Sequence, residues 1–375
     1  MRIFGLFIAL ICLLFQKDYA QKPVVITYAG GYRGNLIDAR KIEAGKLTHL
    51  LYAFADLKNN KAYLHYPETD RINLNRLVRL RQGYPDLKVL LSVGGIGWSR
   101  NFSTMALTTN GRQSFAQSCV QLVKDFDLDG IDIDWEFPGY PGEGGNIYRS
   151  GDQQNYTRLF KELRDQFDLL QQNTGKHILI TVAVDGWASH FLPHTEMNRV
   201  QAYVDYVCLM TYNFNTREQA GGHFLYAPKN WEAQGSADGA VKAFIQAGVP
   251  VNKLVLGAGF FPAAFQMLTS NAGDRRYHRK LAFHGGLAKV YRMEGGHIGF
   301  KKYQEAKDNS PYLFNMQTKI RISYEDTLLL KVKCAYIQSK KLGGIMYWDY
   351  FSDPGRLLLH TITKSFAENK DLSHP

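Results

Sequence analysis

Cysteine is scarce in this chain of 375 residues: Cys12, Cys119, Cys208 and Cys334 are all there is. No spacing among them and the histidines suits a zinc site, so neither a metal nor any other cofactor is expected. Cys119, Cys208 and Cys334 each sit inside an apolar run (Ser-Cys-Val-Gln-Leu, Val-Cys-Leu-Met, Lys-Cys-Ala-Tyr-Ile), which predicts buried thiols and argues against a disulfide framework. Long hydrophobic runs are absent after Ala20. Before it, Arg2 precedes an apolar stretch from Ile3 to Phe15, too short to span a bilayer comfortably. Residues 1–20 therefore read as a secretory signal peptide that carries Cys12 away. The mature chain is expected to be secreted, extracellular or periplasmic, with no membrane contact once the signal is removed. Linkers and low-complexity tracts are also lacking, so no separate binding module is marked.

Acidic residues are the minority charge. The formal net charge is +11, with positive groups gathered in Asp274-Arg-Arg-Tyr-His-Arg-Lys280 and at Lys301-Lys302. No nucleic-acid-binding motif accompanies them, which leaves a solvated basic face and excludes nucleic acid as the expected partner. The expected state is a monomer.

What the chain does have is a regular alternation of short apolar runs with longer periodic stretches. Candidate strands are Val24–Tyr28, His49–Phe54, Lys88–Val93, Gly130–Glu136, Ile178–Ala183, Tyr206–Met210, Leu254–Gly259 and Gly343–Trp348. Several are continuous Val/Ile/Leu stretches, as parallel strands buried on both faces require. Arg112–Phe126, Tyr156–Gln171 and Thr327–Ser339 carry helical periodicity. Eight such units predict an α/β fold, a (β/α)8 TIM barrel. The gap between the seventh and eighth strands exceeds one helix, which predicts a small α+β insertion over about 263–322.

The most informative segment is Leu-Asp-Gly-Ile-Asp-Ile-Asp-Trp-Glu at 128–136. On a strand, Asp132, Asp134 and Glu136 share one face, and Ile131, Ile133 and Trp135 the other. Packing would not select a stripe of acids, because unpaired buried charge is costly. Closely coupled acids in a polar cavity would. Adjacent inward carboxylates cannot all ionise cheaply, so protons are shared along the row. A retained proton suits a general acid. Active groups of such barrels gather at the C-terminal ends of the strands, where Glu136 would lie, with Asp132 about 13 Å deeper at the strand rise per residue. Asp134, on the same strand as Glu136, is poorly placed to act on a bound group from the opposite side. Trp98 follows Gly-Gly-Ile-Gly in a loop where bulk has little packing reason and reads as a ligand-stacking side chain; Trp187 and Trp231 also fall in loops after strands. Asp129 reads as a structural turn residue, and Gly94 and Gly95 as points of close backbone approach.

The run Asp129-Gly-Ile-Asp-Ile-Asp-Trp-Glu136 resembles the signature of family 18 glycoside hydrolases, the chitinases. Lys88-Val-Leu-Leu-Ser92-Val-Gly94-Gly95 is similar to that family's third-strand motif, Thr48-His-Leu-Leu-Tyr-Ala-Phe54-Ala to its second, Leu209-Met210-Thr-Tyr212 to its sixth and Gly343-Gly-Ile-Met-Tyr-Trp348 to its eighth. Ser323-Tyr-Glu-Asp resembles the return from the family's insertion. The resemblance implies a retaining, substrate-assisted hydrolysis of β-1,4 linkages between N-acetylglucosamine units, with an oxazolinium intermediate. It implies Glu136 as general acid and base, Asp134 bound to the acetamido N–H, and Asp132 holding a shared proton beside Ser92 and Tyr28. It further implies Tyr212 as donor to the acetamido oxygen and Trp348 as the subsite floor, with Phe54, Gly95, Trp98, Met210 and Asn213 on the substrate side. The implied partner is chitin or its oligosaccharides.

Two positions depart from the family pattern. Asn213 stands where an Asp is usual, which removes an anion near Glu136 and predicts a more acidic activity optimum. Phe261-Pro262-Ala263 replaces the usual Tyr-Gly-Arg, taking a hydroxyl and a cation from the sugar-holding side. Two other functions share the motif. An endo-β-N-acetylglucosaminidase acting on N-glycans usually lacks the insertion, and a chitin-binding lectin usually lacks the terminal Glu that is present here as Glu136.

Overall fold

The computed structural model describes residues 22–142, 145–295, 299–353 and 355–368. The segment 1–20 expected to be a signal peptide, with its Cys12, lies outside them. Among the described residues, eight parallel strands form the barrel: β1 (Val24–Gly30), β2 (His49–Lys58), β4 (Lys88–Gly94), β5 (Gly130–Asp134), β6 (Leu179–Asp185), β7 (Tyr206–Met210), β8 (Leu254–Gly259) and β14 (Gly344–Trp348). β1 pairs in parallel with both β2 and β14, which closes the ring. A short β3 (Lys61–Tyr63) folds back antiparallel on the end of β2.

Alternation along the strands sorts side chains into two cores. Ile26, Tyr28, Leu51, Ala53, Leu90, Cys208, Val255 and Met346 pack inside the ring. Val25, Leu50, Val89, Leu91, Ile131, Ile133, Val182 and Leu256 face the outer helices. Truncating one of the latter, such as Ile133→Ala, costs about 2–5 kcal/mol. The outer layer comprises α1 (Pro67–Arg79), α2 (Phe102–Ala106), α3 (Thr109–Phe126), α4 (Asp152–Thr174), α5 (Ala188–Phe191), α6 (Met197–Val200) and α7 (Ala237–Gln246). It is completed, after α8 (Gly286–Glu294) of the insertion, by α9 (Thr327–Lys340) and α10 (Leu357–Glu368).

The long helices begin and end for local reasons. The Thr108 hydroxyl accepts from Gly111 N to open α3, which buries Phe115, Ala116, Cys119, Val123 and Phe126 and stops at left-handed Asp127. Asp326 caps α9 by accepting from Leu328 N and Leu329 N.

Between β8 and β14 the chain forms a second sheet, antiparallel, in the order β10 (Tyr277–Leu281), β9 (Ala263–Met267), β13 (Ile320–Ser323), β12 (Pro311–Asn315), β11 (Phe300–Gln304). Helix α8 buries Leu287, Val290 and Met293. The basic cluster of this region is only partly a solvated face. Arg275 and Arg321 both pair with Glu305 (2.5 and 2.8 Å), and Lys302 pairs with Asp326 at 2.9 Å. His278, Arg279 and Lys280 of β10 are exposed. Cys119, Cys208 and Cys334 are buried free thiols. No helix among the described residues is long and apolar enough to cross a membrane.

Candidate active site

Asp132 lies inside the ring with no solvent exposure. Its Oδ2 accepts from Ser92 Oγ (2.6 Å) and Tyr28 Oη (3.1 Å), and its Oδ1 from Thr181 Oγ1 (2.6 Å). Burial pushes the Asp132 carboxyl up from its ordinary range, against the pull of these three hydroxyl donors. Asp134 is 5 % exposed, and its Oδ1 has no hydrogen-bond partner among the described residues. Burial first, then the Glu136 and Asp132 charges, hold its proton well above the usual carboxylate range. Glu136 is half-buried, so exposure rises along the row toward the C-terminal end of the barrel.

The sequence pattern places Glu136 within the fourth strand, but the ladder stops at Asp134. The neighbouring β4 ends at Gly94, which, like Gly95 after it, has a positive φ (112° and 81°). A Cβ on Gly94 would stand 2.2 Å from Asp134 O, so the two strand ends can approach only because this residue is glycine. Ser99 then joins the two strand ends. Its Oγ lies 3.0 Å from Asp134 O and 2.9 Å from Gly95 O as donor, and accepts from Glu136 N at 2.9 Å. Asn146 Nδ2 donates to Glu136 O. Trp135, on the opposite face, stacks on Phe102 outside the ring (5.4 Å, 14°).

Aromatic rings surround the mouth. Trp348 at the end of β14 stacks on Phe54 (5.5 Å, 15°) and on Tyr32 (5.8 Å, 27°), with Tyr28 tilted against it at 5.3 Å. Trp98 meets Phe54 edge-on and stacks on His65 (4.7 Å, 14°), whose Nδ1 lies 3.0 Å from Asp56 Oδ2. A Cβ on Gly95 would strike the Phe54 ring at 2.7 Å.

Met210 and Tyr212 pack against the inner core at the end of β7. Burial raises the Tyr212 phenol well above its ordinary value, followed by the Asp134 and Glu136 charges. Asn213 takes a left-handed conformation (φ 56°), which asparagine tolerates, and its Oδ1 is buried without a partner among the described residues. Phe261 lies edge-on to Tyr212 at 5.6 Å. Trp231 is a packing residue whose indole N–H donates to Gly235 O (2.8 Å), and Trp187 leans on it at 6.1 Å. Asp129 sits at the far end of the barrel, accepting from Val89 N and pairing with Arg81 and Lys176.

Sequence reasoning did not single out Thr181, Ser99, Tyr32, His65, Tyr140 or Asp185. Thr181 and Asp185 belong to β6, whereas Tyr32, His65, Ser99 and Tyr140 come from four different loops. Tyr140 Oη donates to Asp185 Oδ2 at 2.8 Å, and Asp185 ends β6. No grouping of three or more His, Cys, Asp or Glu with metal-binding geometry occurs among the described residues.

Comparison with known proteins converges on one family. The model of the glycosyl hydrolases family 18 matches residues 24–353. Chitinase A1 of Niallia circulans is 35% identical over 307 residues, which is 76% of this chain but 43% of that longer protein. Endochitinase 1 of Metarhizium robertsii is 28% identical over 355 residues, 86% of this chain and 79% of the relative. Among solved structures, a family 18 N-acetylglucosaminidase from Paenibacillus barengoltzii superposes with a TM-score of 0.82 at 32% identity, covering 92% of this chain and 99% of the other.

Proposed function

Since the chain belongs to glycosyl hydrolase family 18 and is a glycoside hydrolase, we propose that it is a secreted chitinase. In this reading it cleaves β-1,4 links between N-acetylglucosamine units with retention. The 2-acetamido oxygen of the substrate attacks the anomeric carbon while Glu136 gives its proton to the departing glycosidic oxygen. The C–O bond breaks and an oxazolinium ring forms. Asp134 accepts the acetamido N–H and balances the positive charge; Tyr212 donates to the acetamido oxygen. Water then loses a proton to Glu136 and opens the ring from the face the leaving group vacated. Two inversions restore the original anomer.

The observation that carries this reading is Asp134 Oδ1. It is a buried acceptor without a partner among the described residues, between one carboxylate saturated by three hydroxyls and another at the mouth. Buried acceptors are rarely left unpaired, and a substrate N–H is the donor this one suits. Trp348, Phe54 and Trp98 supply apolar faces for sugar rings. Fully deacetylated chitosan lacks the assisting group and should not be cleaved.

The test is hydrolysis of a chromogenic chitobioside by wild type and Glu136→Gln. Loss of about 10²–10⁴-fold in kcat, with the β-anomer formed first, supports the proposal; retained activity in the variant ends it. A glycoprotein offered in parallel separates cleavage of N-glycans from cleavage of chitin oligomers. Likeness to the Paenibacillus N-acetylglucosaminidase favours a second reading, release of single sugars. The product sizes from a defined oligomer ladder distinguish it from release of dimers and longer pieces.

A further inference from the structure

Asp185 is an acid at the barrel mouth that the reading above does not use. Thr181 donates to Asp132, so the odd-numbered residues of β6 face the inside of the ring, and Asp185 is the last of them. The β5–β6 ladder sets Asp132 level with Thr181. The last rung of that ladder joins Ile133 to Val182, three residues before Glu136 on one chain segment and three before Asp185 on the other. On the other side, Asp185 is in register with Met210, three residues before Asn213.

Its carboxylate is held from two directions. Trp187 N donates to Oδ1 at 2.9 Å and Tyr140 Oη to Oδ2 at 2.8 Å. Tyr140 belongs to the loop that follows Glu136. Its phenol is pushed up by burial, then by the Asp185 charge and, further down, by that of Glu136, so one hydroxyl lies in the field of both acids. The other titratable groups around Asp185 are His190 of α5, whose charge would favour the carboxylate, and His194, whose ring lies 5.2 Å from that of Tyr140. Met210 of β7 carries no charge, and Tyr212 follows it. Burial raises the Asp185 carboxyl above its ordinary range, which the Trp187 and Tyr140 donors oppose.

We propose that Asp185 is a positioning residue for the general acid, supplying from the fifth barrel strand the negative charge that the sixth, which leads into Asn213, does not. The proposal rests on Glu136 being that acid. Above its own titration Asp185 is an anion across the mouth from Glu136 and opposes its ionisation, so Glu136 keeps its proton to higher pH. The acidic shift expected from Asn213 alone is thereby offset.

The experiment is the pH dependence of kcat/KM on a chromogenic chitobioside for wild type, Asp185→Asn, Asn213→Asp and the double variant, with thermal midpoints recorded for each. Asp185→Asn should move the basic limb to lower pH by roughly half a unit or more, as expected for a like charge removed at a partly shielded site. Asn213→Asp should move it up, and the double variant should return it toward wild type. A basic limb unmoved in folded Asp185→Asn overturns the proposal, as does a double variant no better than the single one. Should Asp185→Asn fail to fold, Tyr140→Phe removes the donor that favours the carboxylate and should move the limb the same way by less; no movement there also overturns it. Glu136→Gln is the control: activity surviving in it defeats the mechanism itself, whereas its loss beside an unmoved Asp185→Asn profile defeats only this inference.

Discussion

Asp134 costs the fold stability in return for its place in the row. Its proton is held more tightly in the folded chain than in the unfolded one, where the carboxyl ionises near about 3.9. The folded state therefore binds more protons than the unfolded state above that value, and stability falls as pH rises through the interval. Below it the group is neutral in both states and has no effect. Asp134→Asn should raise Tm at pH 7 by a few degrees, on the order of 1–3 °C, and leave it unchanged near pH 3. Activity should fall at least about tenfold, because the amide cannot balance the oxazolinium charge. Thermal unfolding at the two pH values, with chitobioside turnover at one, checks the trade-off; equal Tm changes at both pH values would refute it.

Between the ends of β4 and β5, the Ser99 hydroxyl adds to the backbone bond from Gly95 N to Asp134 O (2.8 Å). Ser99 meets the carbonyls of Asp134 and Gly95 and the amide of Glu136, so the loop carrying Trp98 and the peptide carrying Glu136 share one anchor. In Ser99→Ala the Glu136 amide loses the Ser99 hydroxyl as acceptor, at a cost of about 1–3 kcal/mol. The expected result is a lower Tm with kcat reduced about tenfold and KM for chitobioside changed much less, because the acid is displaced while the aromatic floor stays. Steady-state kinetics settle it: a purely KM effect would assign Ser99 to sugar binding instead.

Across the whole molecule, acid stability draws on two buried histidines, His49 at the start of β2 and His223 beside the end of β8. His49, 5 % exposed at the start of β2, is lowered to about 4 by burial and then by Lys88. His223, fully buried where the insertion meets the barrel, is lowered to about 3 by burial and then by Lys333, which pairs with Glu325 at 2.5 Å. Both stay neutral in the folded chain while the unfolded chain protonates near about 6.5. Their contribution is fully present above that pH and is lost as pH falls through the interval toward 4. The raised Asp132 and Asp134 act with the opposite sign as they take up protons, so a variant is needed to isolate the histidine part. His49→Gln should flatten the decline in Tm between pH 6.5 and 4 relative to wild type. Parallel curves would remove His49 from the account.

Period-two alternation alone determined that Asp132 and Asp134 share a face, because side-chain direction along a strand needs no partner, whereas Glu136 lies beyond the end of β5. Apolar runs and helical periodicity likewise marked the eight strands and the bounds of α3 and α9 to within a few residues, and the gap before β14 announced the insertion. These are local properties, written in neighbouring residues. Tertiary structure alone decided which groups answer the acids. Thr181 reaches Asp132 across a sequence separation of 49 residues, and Tyr140 reaches Asp185 across 45. Such pairs depend on the register between strands, and shifting one strand by a single residue would turn every partner to the other face. The end of β5 at Asp134, the stacking of His65 on Trp98 and the placing of Trp231 in packing follow from how neighbouring loops close. No single segment encodes those contacts.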